Sequence, residues 1–203
     1  MQVMVEAIRT GIDWLACHPA NIRVVAGCTT RLKGFSSGPY ARGNLGLHVF
    51  DDPVAVGRNR QALSQYLGAR HVQWLQQVHG TEVHQATYAS AAQAVTADAV
   101  WTHEVGLALA ILTADCVPVL LWSDHEAQAE VPVVAGIHAG WRGLCDGVIA
   151  QTLRQLPVPS QTLQAWIGPC ISAVHYEVGE EVWSQFAHWP ETVTLPHPDQ
   201  QQK

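Results

Sequence analysis

The sequence predicts a mixed α/β domain, and three observations carry that expectation. Leu107–Leu112, Val117–Trp122 and Val131–His138 are near-continuous apolar runs, the pattern of strands covered on both faces. Gly140 to Gly143 then turn the chain into apolar positions at helical spacing, Leu144, Val148, Thr152 and Leu156, so strand, turn and helix succeed one another. The composition, 48% hydrophobic and 14% charged with 16 glycines in 203 residues, suits one domain with a sizeable core. That core is expected over about 22–187, with a flexible, proline-broken polar tail over 190–203.

Taken in order, a polar lead precedes a buried strand over Ile22–Thr29 and a glycine-rich loop, TTRLKGFSSGPYARGNLGLHV, too irregular for a helix. Asp52 and Pro53 supply an N-cap and a first-turn residue for a helix that ends near Gly68, with Val54, Val56, Leu63 and Leu67 roughly on one side. Strands are expected over Val72–Val78 and Thr81–Ala86, around the turn His79-Gly80, and over Ala94–Thr102. The segment Thr96-Ala97-Asp98-Ala99-Val100 is echoed by Thr113-Ala114-Asp115-Cys116-Val117, without the longer period of a repeat protein. After the helix stopped by Pro157, Leu163–Ile167 reads as a strand and Gly179–Ala187 as a short helix.

Charge and cysteine usage narrow the function classes. The net charge is -6, with 11 basic residues against 17 acidic ones and no basic run, so the electrostatic footprint of a nucleic-acid binder is missing. Val105–Trp122 is interrupted by Asp115 and Pro118, which argues for two strands and against a membrane span. Five widely spaced cysteines without a C-x-x-C argue against a disulfide framework or a zinc finger and for a reducing compartment. The first twenty residues lack a basic n-region and carry Glu6, Arg9 and Asp13, unlike a signal peptide. The expected location is the cytoplasm.

Three positions stand apart because each lies at a strand end or turn beside glycine or a carboxylate: His79, Cys116 and His138. Two imidazoles and a thiolate with an open fourth position suit a catalytic zinc, although spacings of this length match no local metal motif. A blue-copper site would need a weak axial donor, and only Met1 and Met4 exist, so copper is the weaker expectation. Asp115, inside an apolar run, must be hydrogen-bonded, paired or protonated if it is buried, and it is a candidate for catalysis beside Cys116 and His79. Arg142, at an expected helix start, suits an anion such as phosphate. Arg31, Arg60 and Asn44 are weaker candidates for the same side of a substrate, and Trp141 could stack on a base.

The segments CTTRLKGFSSGPYARGNLGLHVFDDPVAVGRNR, QQVHGTEV, LTADCVPVLL, VAGIHAGWRGL and IGPCISAVHYEVGEEV resemble, in order, the signature blocks of the laccase-domain family. That family has been labelled multicopper polyphenol oxidase and is associated with zinc-dependent purine nucleoside phosphorylase and adenosine deaminase activity. The resemblance implies a four-layer α/β/β/α sandwich with mixed sheets. It also implies one metal, Zn2+, held by the His of Q-V-H-G, the Cys of T-A-D-C and the His of H-A-G-W-R-G, which are His79, Cys116 and His138. The chain contains no His-x-His, so it cannot supply the paired histidines of a trinuclear copper cluster. Family members usually continue past the Y-E-V-G-E-E-V block into a closing segment with a Cys-Thr pair and an F-S-Y-R-R type motif, whereas this sequence ends PHPDQQQK. An edge left open there is expected to lower stability and favour self-association, as in a homodimer.

The expected activity is therefore cleavage of adenosine or inosine by phosphate to base and ribose 1-phosphate, together with deamination of adenosine. Two other classes use the same residues. One is a hydrolase or amidase, of a kind suited to editing cell-wall precursors, with Cys116 as a thiolate nucleophile activated by His138 or His79. The other is a metal-stabilised binding module without catalysis.

Overall fold

The computed structural model describes residues 12–17, 24–123 and 133–186. Its centre is a five-stranded sheet in the order β11-β9-β10-β7-β5, formed by β5 (Val83–Gln85), β7 (Ala99–Thr102), β9 (Val117–Ser123), β10 (Val134–Ala139) and β11 (Leu163–Ile167). All its pairings are antiparallel except β5 with β7. Three two-stranded ladders accompany it: β1 (Trp14–Cys17) antiparallel to β2 (Ala26–Thr29), β3 (His71–Gln73) parallel to β8 (Leu107–Leu109), and β4 (Leu75–Gln76) parallel to β6 (Val95–Thr96).

Strand alternation sorts the central sheet's side chains between two cores. Ala99, Trp101, Val119, Leu121, Ala135, Ile137 and Ala139 point to one face and bury Val148 and Leu156, with Ile149 and Leu153, against them. These belong to or adjoin α3 (Val148–Gln155), which follows the short α2 (Trp141–Cys145). Val100, on the other face, packs with Leu75, Leu107 and Leu109 of the small ladders and with Ala97, just past β6. Helix α1 (Pro53–Leu67) covers the ladders in turn, through Ala62 and Leu63 against Ile12, Trp14 and Trp74. Helix, small ladders, large sheet and helix are thus stacked as the expected α/β/β/α layers.

Several expectations hold in detail. The Asp52 carboxylate accepts the Val54 N–H at the start of α1, and Gly68, with φ 62°, closes its end. β11 has the expected bounds, and the 30–50 loop holds only a short 3-10 turn, Gly38–Tyr40. A four-residue helix α4 (Glu180–Trp183) falls within 179–187. The structure also corrects the sequence reading at several points. Val54 is 68% exposed, so the buried face of α1 runs through Ala55, Val56, Asn59, Ala62 and Leu63 instead. The helix expected up to Leu156 is split, because Gly147 has φ 88°, outside the helical region. Val72–Val78 and Ala94–Thr102 are each divided, because their halves pair with different partners. Only Leu107–Leu109 of the Leu107–Leu112 run is strand, and the polar lead contains β1. Met1, Met4 and the 190–203 tail lie outside the described residues, as do parts of the expected Ile22–Thr29 and Val131–His138 strands.

The glycine-rich loop owes its shape to one buried side chain. Asn59 on α1, fully buried, accepts the Phe35 N–H at Oδ1 and donates from Nδ2 to Ser36 Oγ and the Arg42 and Asn44 carbonyls. Asn59→Ala would take this partner from the Phe35 N–H and the Asn44 carbonyl, whereas the Arg42 carbonyl keeps the Ser36 N–H, so it is expected to lower unfolding free energy by about 2–3 kcal/mol in urea titrations.

Candidate metal centre

β7 and β9 both run antiparallel to β10, so their N-terminal ends share one edge of the sheet with the C-terminal end of β10. The echoed Thr-Ala-Asp segments therefore deliver their residues to the same place. The register pairs Val117 with Ala139 and Pro118 with His138, which sets Cys116 across from Gly140. His79 reaches the same edge from the turn that links the ladder strand β4 to β5.

There the side-chain donor atoms of His79, Cys116 and His138 all lie within 4.8 Å of one another. The Cys116 Sγ to His79 Nε2 distance is 3.8 Å, and the two imidazole rings meet edge to face with centroids 4.7 Å apart. Tetrahedral bonds of about 2.0–2.3 Å place neighbouring donors roughly 3.3–3.7 Å apart, so a small contraction would close the group on one ion. Gly140 leaves the room for it: a Cβ there would stand 2.6 Å from His79 Cδ2 and 3.2 Å from Cys116 Sγ. His138 is buried, Cys116 half-buried and His79 exposed, so the group is anchored on one side and open on the other.

The residue that organises this edge is Asp98, which is fully buried. Its Oδ1 lies 2.8 Å from His138 Nδ1 and accepts the His79 N–H, while Oδ2 accepts the Val78 and Gly80 N–H groups. Burial pushes its carboxyl pKa up, but His138 and the three amides more than offset this and hold it below the usual carboxylate value. With Nδ1 engaged by the carboxylate, His138 has Nε2 left for a metal, the usual arrangement of a metal-bound histidine. Sequence reasoning applied the argument about a carboxylate in an apolar run to Asp115, which is exposed. The buried and partnered carboxylate is that of the first copy of the echo, Asp98.

The Cys116 thiol is raised by burial and then by the negative charges of Asp115 and Asp98. A cation at the site would reverse that balance, since a coordinated thiol is deprotonated outright. Tyr176 was missed in the sequence, although it lies in the quoted H-Y-E-V-G-E-E-V stretch. Its phenol is pushed up by burial and by Cys116 and pulled back by Arg142, which places it within electrostatic reach of both.

The substrate-side candidates diverge. The Arg142 side chain is exposed, with its guanidinium 4.3 Å from the Trp141 ring centroid, beside a 250 Å³ hollow lined in part by Trp141, Asp146 and Glu181. Its helix has only five residues, so any anion affinity rests on the guanidinium and little on a helix dipole. Arg60 donates to the Leu45 carbonyl and stacks on Trp74. Arg31 donates to the Ala41 carbonyl, and Asn44 bonds Gly46 and Asp51.

Residues 25–203 match the family described as multi-copper polyphenol oxidoreductase laccase. The chain belongs to this family. It is 43% identical over 174 residues to a purine nucleoside phosphorylase of Pseudomonas aeruginosa, covering 86% of this chain and 66% of the relative. It is 42% identical over 168 residues to the purine nucleoside phosphorylase YfiH of Escherichia coli, covering 80% and 65%. The crystal structure of Neisseria meningitidis protein NMB0706 superposes with a TM-score of 0.77 at 40% identity, over 87% of this chain and 69% of that one. YlmD from Geobacillus stearothermophilus gives 0.77 at 33% identity, over 85% and 68%. The chain spans about two thirds of the length of the curated relatives it matches. The family's description names several coppers, whereas the described residues of this member bring together one group of three donors.

Gly140→Ala is expected to weaken affinity for added zinc by about tenfold or more, the scale reached when ligand orientation is disturbed. Its extended backbone, φ -68° and ψ 159°, accepts alanine, so thermal unfolding of the metal-free protein should change little. Chelator competition and calorimetry would check the two halves.

Proposed function

We propose that the chain is a purine nucleoside phosphorylase whose His79, Cys116 and His138 hold one zinc ion. It would cleave adenosine or inosine with phosphate to the free base and ribose 1-phosphate, and would deaminate adenosine with water as a second reaction. The observation that carries the reading is the convergence of two imidazoles and one thiol beside the buried Asp98, in a chain more than 40% identical to proteins named purine nucleoside phosphorylase. When bound, zinc supplies Lewis acidity to the reaction.

The chain's own residues supply position and charge. Arg142 is the anion-binding group for phosphate, with its guanidinium free to make paired hydrogen bonds to two oxygens. The adjacent Trp141 offers an aromatic face for a base, and the exposed Asp115, next to Cys116, is placed to exchange protons with solvent. Arg31, Arg60 and Asn44 shape the 31–46 loop and would act on substrate only through it. The five cysteines, none in a disulfide, suit the reducing cytoplasm. Among the described residues no helix is long and apolar enough to cross a membrane.

A thiolate nucleophile at Cys116 would draw on the same 3.8 Å contact with His79. Without a cation, however, burial and two carboxylates push the pKa of that thiol up, the reverse of the lowering that activation requires.

The direct test is phosphate-dependent release of base from inosine, paired with elemental analysis. One zinc per chain is expected, with both metal and turnover lost in Cys116→Ala; turnover retained in that variant would contradict the reading. Arg142→Ala is expected to raise the phosphate KM by about tenfold or more, the scale of one charged hydrogen bond, with the nucleoside KM nearly unchanged. The opposite pattern would move Arg142 to the base or ribose.

A further inference from the structure

We propose that Asp98 is a positioning residue that sets both histidine donors at once, through a single carboxylate shared by the His138 ring and the backbone of the His79 turn. This rests on the metal reading above and deepens it. The two ties differ in kind. At His138 the tie is to the ring: Asp98 Oδ1 is 2.8 Å from Nδ1, and because a carboxylate only accepts, Nδ1 carries the proton and Nε2 presents its lone pair to the metal. The His138 backbone N–H also donates to the Asp98 carbonyl at 2.7 Å, so ring and main chain are fixed to the same residue.

At His79 the tie is to the backbone. His79 has φ 62°, a left-handed conformation unusual for a residue with a side chain. The N–H groups of Val78, His79 and Gly80 all converge on the Asp98 carboxylate at 3.1, 2.9 and 2.7 Å, a nest of amides around one anion. The exposed His79 ring meets the buried His138 ring edge to face, and the backbone conformation that brings it there, within 3.8 Å of Cys116 Sγ, is held from this nest. Asp98 can serve both ligands because the chain crosses there from the small ladder, β6, into the large sheet, β7.

Asp98→Asn tests this. A carboxamide offers one accepting oxygen and turns an N–H2 toward groups that are themselves donors, so some of the four contacts must fail. Zinc titrated in competition with a chelator is expected to bind the variant about 10–100-fold more weakly than the wild type, the range seen when a metal ligand's outer partner is removed. The control Asn59→Ala, destabilised through the 31–46 loop, should keep the wild-type zinc Kd within about twofold, because that loss does not reach the ligands. Nitrogen-15 NMR of the metal-free wild type, which needs no variant to fold, should find the neutral His138 ring protonated at Nδ1. A proton on Nε2, or equal zinc affinity in Asp98→Asn and wild type, overturns the role of Asp98 and leaves the metal reading standing. A wild-type protein that binds no zinc overturns both.

Discussion

A fully buried carboxylate needs partners or it destabilises the fold, and the partners of Asp98 are the elements that make the site. Three backbone amides and one imidazole surround it, together holding its charge at low cost. Those same contacts join the end of the β4 turn, the start of β7 and the end of β10. They work beside other polar ties in the same region, the paired hydrogen bonds of the Gln77 side chain to the Leu112 backbone and the Asp98 main-chain bonds to Glu82 and His138, but only the carboxylate joins both histidines. Chemistry and architecture thus depend on one group, and the metal ligands are a consequence of how that group is satisfied.

The layered fold was legible where side-chain pattern and covalent constraint agree. The Asp52-Pro53 start and Gly68 end of α1, the near-continuous apolar runs of β9 and β10, and the bounds of β11 all follow from local chemistry. What was not legible is where the chain changes partners. Val72–Val78 reads as one strand, yet Gln73 is fully buried, its side chain bonds the Trp74 and Gln93 carbonyls and Ser90, and the halves on either side of Trp74 join separate ladders. The crossing at Asp98 is likewise a tertiary event that no periodicity announces. Val54 looked interior by type and is exposed because its position on α1 faces away from the ladders.

The site was legible in part and for a definite reason. His79, Cys116 and His138 each sit where a strand meets a turn, and the sheet register brings such ends together. The outer partner was harder to see, because Asp98 and Asp115 occupy equivalent places in a repeated Thr-Ala-Asp segment. Only burial distinguishes them: Asp98 lies beneath the His79-Gly80 turn, whereas Asp115 faces solvent. The substrate side depends on longer-range geometry. Arg142 stays free over Trp141, while Arg60 and Asn44, equally polar in sequence, are committed to holding the 31–46 loop.

The central claim is that one metal ion sits among one sulfur and two imidazole nitrogens at this sheet edge. X-ray absorption at the zinc edge of the zinc-loaded protein reads that ligand set directly. The account predicts one sulfur at about 2.3 Å and two nitrogens at about 2.0–2.1 Å, with a light-atom ligand completing four-coordination. A sulfur-free shell, or one with two or more sulfurs, would contradict it.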